Sequence, residues 1–142
     1  METETLLDGF MTGRLAPEQF GHREHVAVAY ELLDRYPFDD ALDHFSRGAS
    51  DLARRAGAPQ KFHVTVTGAL MRIIADDRNR GKGQSCGDYL DSEPPVLHDA
   101  MGALGRHYSP ERLWSDAARR SWLAPDLLPL PGMDLALPDK VA

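Results

Sequence analysis

The sequence has one cysteine, Cys86, in 142 residues. An intrachain disulfide is therefore impossible, and a thiolate-rich zinc site is excluded. Long apolar runs are also missing. Nothing approaches the ~18 residues that a membrane span would need. Positive charge is scarce: 16 Lys and Arg stand against 22 Asp and Glu, a formal charge of −6. That balance argues against nucleic acid as a partner, because phosphate binding needs a basic surface. The basic clusters at Arg54-Arg55, Arg78 to Lys82 and Arg119-Arg120 are short and diluted by acids, and they read as solvated helix ends. The opening Met-Glu-Thr-Glu-Thr has neither the basic nor the apolar region of a signal peptide. A soluble cytoplasmic protein without membrane contacts is expected, and a lone thiol fits a reducing compartment.

What is present is an ordinary globular composition, 42% apolar and 27% charged. The length suits one domain over residues 1–142 and can bury a core without metal or disulfide staples. A metal would then serve function and not folding. Helix-periodic apolar residues dominate. Leu6, Leu7 and Phe10 predict a short helix over 2–11. A second helix is expected from Phe20 to Tyr36, a third from Pro37 to Ala56 and a fourth from Pro59 to Asp77. The β-branched run Val64 to Thr67 would suit a strand, but the helical period continues through Leu70 and Ile74. Ser85, with Asp88 three residues on, predicts a short helix through Leu90. Ser92 to Pro95 opens another, ending near Gly105. Ser109-Pro110-Glu111 starts a helix to about Arg120. Beyond it the apolar tail is broken by Pro125, Pro129 and Pro131 and can be neither helix nor central strand. The expected fold is all-α, a single-domain helical bundle with a proline-rich tail (residues 120–142) packed across it.

Three of the six histidines stand out. His22 and His25 are three apart and head the apolar stripe of the second helix. His63 heads the stripe of the fourth. Two imidazoles at this spacing can aim at one point. A third from another helix would complete a three-histidine metal site with open coordination positions, as catalytic sites have. Imidazole suits copper, iron or zinc. His44, His98 and His107 fall off their stripes. Thr67, one turn along from His63, could contact a substrate or fix a metal-bound water; otherwise it bonds its own helix carbonyl. Lys61 could offer an anion contact at the mouth of the site. Tyr30 and Tyr36 could each supply a phenol, although core packing explains them as well. Cys86 lies in no motif. Without a metal, the three histidines would bind an acidic small molecule or act as acid and base.

The segments Phe20-x-His22-x-x-His25 and Lys61-Phe-His63-x-Thr65-x-Thr67, with Tyr108-Ser109 and Pro125-Asp126 to Pro131, resemble a largely uncharacterised family of small bacterial helical proteins. The resemblance runs from about Phe20 to Pro131. It implies a site at His22, His25, His63 and Thr67, and no particular reaction. The expected function is a metal-dependent enzyme acting on a small, possibly anionic molecule. The alternative is a non-catalytic module that binds or senses a metal or ligand.

Overall fold

Pro17, Pro37, Pro59, Pro95 and Pro110 stand where helical segments begin. Proline has no N–H, and the first turn of a helix needs none from it. The computed structural model describes residues 2–132. Among them are nine α-helices and no strand, so the fold is all-α. The helices are α1 (Thr3–Thr12), α2 (His22–Arg35), α3 (Phe38–Arg55), α4 (Val64–Arg80), α5 (Cys86–Asp91), α6 (Pro95–His98), α7 (Ala100–Gly105), α8 (Pro110–Leu113) and α9 (Asp116–Arg120). None is long and apolar enough to cross a membrane.

Helix α2 is the centre of the bundle. It packs on α1, α3, α4 and α5, and Val28 and Leu32 on it are wholly buried. Helix α3 shows the clean period of a one-sided helix, with Ala41, Phe45, Ala49 and Leu52 turned inward. Helix α1 braces the pair through Leu6, Leu7 and Phe10. Helix α4 is different, because it serves two apolar clusters. Met71 and Ile74 join the main core. Ala69 joins a smaller cluster with Leu104, Tyr108, Leu113 and Leu130.

Four boundaries depart from the sequence expectation. The fourth helix starts at Val64 and not at Pro59. Pro59–Lys61 forms a separate 3-10 turn, and Phe62 and His63 are extended. Its far end runs on to Arg80. The expected helix over 92–105 is cut at Asp99, whose carboxylate accepts from Gly102 N–H at 3.0 Å and starts α7. The expected helix to Arg120 is cut at Ser115. Its hydroxyl donates to the Arg112 carbonyl at 2.8 Å and accepts from Ala118 N–H at 3.1 Å. Short polar side chains that bond nearby backbone compete with helix continuation.

The tail over 121–132 contains no helix and is held by side chains. Tyr108 Oη donates to the Leu123 carbonyl at 2.6 Å, and Arg112 Nε to that of Ala124 at 2.6 Å. Asp126 accepts from both the N–H and the hydroxyl of Ser109. These bonds, with a charged guanidinium nearby, hold the Asp126 carboxyl below the usual range despite some desolvation. Leu130 is buried in the smaller cluster. The rest of the expected tail, 133–142, lies outside the described residues.

On α3, Gly48 faces the ring of Phe10 on α1. A Cβ there would lie 2.3 Å from the ring of Phe10. That ring stacks on Phe20 at 5.2 Å and sits 5.6 Å from Phe45, so it has little room to retreat. Alanine would gain about 1 kcal/mol of helix propensity, whereas overpacking a filled core costs about 1–3 kcal/mol. At 2.3 Å the second effect wins. Gly48→Ala should therefore show a net loss of stability in urea unfolding, of up to about 2 kcal/mol.

Candidate functional site

The first turn of α2 places His22 and His25. Gly21 is its N-cap, and Glu24 folds back so that its carboxylate accepts from Gly21 N–H at 2.9 Å. Glu24 thus serves the helix end, where a negative charge is favourable. His22 Nε2 lies 2.7 Å from the carbonyl oxygen of Val96 on α6. A carbonyl only accepts, so Nε2 carries the proton and Nδ1 is left with a lone pair when the ring is neutral. His25 packs between Phe45, stacked at 4.8 Å, and Phe20, tilted at 4.8 Å. Unlike His22 and His63, its ring has no hydrogen bond among the described residues. Burial, with His22 beside it, pushes His25 down to about 4. It is a neutral imidazole at physiological pH.

His63 is used differently. It stands just before α4 as the N-cap, and its Nδ1 accepts from Val66 N–H at 3.1 Å. Its Nε2 must then carry the proton, and it lies 2.8 Å from the carbonyl of Leu113. Trp114 closes over the ring edge-on at 5.5 Å. Burial pushes its proton affinity down. Both ring nitrogens are occupied, so neither is free to coordinate a metal in this arrangement.

The two threonines beyond His63 face opposite ways, since two helical residues are about 200° apart. Thr65 Oγ1 donates to the Ser121 carbonyl at 2.8 Å and accepts from Leu123 N–H at 3.1 Å. It clamps the start of the tail. Thr67 lines the space in front of the histidines, and its hydroxyl is unbonded among the described residues. It does not bond its own helix carbonyl.

His22, His25, His63 and Thr67 all border one cleft of about 390 Å³. Its walls are mainly apolar, from Phe20, Leu52, Phe62 and Val66, and Lys61 stands among the lining residues. The sequence-selected residues are therefore brought together. The expected three-ligand geometry, in contrast, is not assembled. Among the described residues no group of three or more His, Cys, Asp or Glu side chains is placed to hold one metal ion. The His22 and His25 ring centroids are 6.4 Å apart, at 82°. Two imidazoles on one tetrahedral ion, with metal–nitrogen bonds of about 2.0–2.1 Å, would have centroids roughly 5 Å apart. Compared with family models, curated proteins and solved structures, the chain matches none.

The other candidates lie elsewhere. Tyr30 Oη donates to the Gln84 carbonyl at 2.6 Å, and Tyr36 packs on His44 at 4.5 Å. Neither brings a phenol to the cleft. Burial pushes the Cys86 thiol up to about 11, which makes it unreactive. His107 Nδ1 meets the Leu128 carbonyl at 3.1 Å and so helps hold the tail. The sequence reading missed the part played by Val96 and Leu113. They act through backbone carbonyls, which leave no side-chain signature.

Two predictions follow from these roles. His63→Ala removes a cap and leaves the Leu113 carbonyl unpaired, at a combined cost on the order of 3 kcal/mol in urea unfolding. His63→Asn can still cap α4 and should lose less; equal losses would contradict the capping role. For His25, the folded value of about 4 lies below the unfolded 6.5. The unfolded chain then takes up the proton first as pH falls. The contribution is complete above about pH 6.5 and is lost towards pH 4, by at most about 3 kcal/mol. Unfolding measured across that window should be less pH-dependent for His25→Phe than for the wild type.

Proposed function

We propose that the protein binds a small molecule in the 390 Å³ cleft, with His22, His25 and Thr67 meeting its polar part. The observation that carries this reading is a coincidence of unused polar atoms. The Nδ1 of His22, the ring of His25 and the hydroxyl of Thr67 have no partner among the described residues, and all three side chains border one apolar cleft. Such a cleft, with a few convergent polar groups, is the usual form of a ligand site, and its volume lies within the ~300–1,000 Å³ range. Lys61 among the lining residues would favour a ligand with an anionic part at the mouth. A general base works best with a pKa near the operating pH. His25, at about 4, is far from that, so binding or sensing is the better-supported role than metal-free acid–base catalysis.

A metal-dependent enzyme is the second reading, and two observations favour it. Metal-bound imidazoles commonly donate their other N–H to a backbone carbonyl, as His22 does to Val96. A neutral His25 would also be ready to ligate without losing a proton. Copper, iron or zinc would then sit on His22 and His25, with substrate in the open positions. His63 could join only by giving up Leu113 or Val66, and the His22–His25 pair would have to close by about 1 Å.

A fragment set of small neutral and anionic molecules, read by ring ¹⁵N shifts of His22 and His25, tests the first reading. At least one fragment should bind saturably, and at least tenfold more weakly to Thr67→Val or His25→Phe. Should no fragment move these signals, the cleft is not a ligand site. Titration with zinc or copper, read the same way, tests the second reading. Stoichiometric binding that is lost in both His22→Ala and His25→Ala would support it, and retention in either would exclude the pair as ligands.

A further inference from the structure

Behind the histidine pair lies a second, smaller hollow of about 40 Å³. Its inner wall is Val26, Ala29, Phe45, Leu70, Met71 and Ile74. His22, His25, Val66 and Thr67 border both this hollow and the larger cleft. The inner end offers none of the two to four polar partners that a water needs. Protein interiors are close-packed, and an unfilled gap costs stability. A larger side chain at the buried Ala29 of α2 would fill it. The gap instead sits directly beside the side chains that carry unused polar atoms.

We propose that this hollow is the apolar subsite of the cleft, and that it takes the terminal carbon atoms of the ligand. The inference rests on the reading of the cleft as a ligand site. Size sets the first limit. On the scale where a cavity of ~150 Å³ admits benzene, 40 Å³ admits one or two carbon atoms. Hydrogen bonding sets the second. His22 Nε2–H is engaged by Val96, so its free nitrogen only accepts. The ligand must bring a donor there, and it can accept from the Thr67 hydroxyl. A primary amide or an alcohol ending in a methyl or ethyl group meets both conditions.

The test uses xenon and four amides: formamide, acetamide, propionamide and valeramide. The readouts are the Met71 methyl signal and the ring ¹⁵N shifts of His22 and His25. Each added carbon that reaches an apolar site is worth about fourfold in affinity. The dissociation constant should fall by about that factor per carbon up to propionamide and then level off at valeramide. Ala29→Leu should retain formamide binding and lose the gain, with Ala29→Val as a milder filling variant if leucine does not fold. A flat series, or unchanged steps in the filled variant, would overturn the proposal. Xenon addresses the hollow alone. Its saturable shift of the Met71 methyl should disappear in the filled variant, and no saturable shift in the wild type would refute the hollow as a binding site. Xenon binding while no amide reaches the histidines would instead refute the cleft reading, and the tail assignment with it.

Discussion

The imidazole of His63 joins two segments fifty residues apart. One nitrogen accepts from the first turn of α4, and the other donates to the carbonyl that ends α8. Each bond fixes the tautomer that the other needs, so the two stand or fall together. A buried neutral histidine in this position satisfies two backbone groups that would each be costly to leave unpaired. It also sets where α4 begins, and hence the direction in which Thr65 and Thr67 point. One goes to the tail and the other to the cleft.

This arrangement explains why α4 has apolar residues on more than one face. Met71 and Ile74 belong to the main core, while Ala69 belongs to the cluster of Leu104, Tyr108, Leu113 and Leu130. A helix packed on two sides cannot show the single stripe seen in α3. The cleft lies between the first turn of α2, the last turns of α3 and the start of α4. There the aromatic ring of Phe45 already covers one side of His25.

Helical periodicity made the all-α fold legible, together with the four longest helices. The short helices were less so. Asp99 and Ser115 each cut a run that period alone would continue, through a local bond from side chain to backbone. The gathering of His25, His63 and Thr67 on one cleft was legible because each heads or follows a core-facing stripe; His22, expected to head that stripe too, borders the cleft but is exposed to solvent. The division of labour among them was not. Whether a histidine keeps a free lone pair depends on which backbone groups face it, and Val96 and Leu113 supply those groups through carbonyls that every residue possesses. Likewise the Thr-x-Thr spacing places two hydroxyls on opposite sides of a helix, but only the tail's path decides which one becomes a clamp.

Helix ends ordinarily fray first, because their leading amides have no partner within the helix. In α4 one of these leading amides is paired. The Val66 amide is bonded to a buried imidazole, and the Thr67 amide to the His63 carbonyl. In terms of amide hydrogen exchange, Val66 should behave as protein interior. The ring that caps Val66 is also held by Leu113, so local opening there is coupled to α8 as well as to α4.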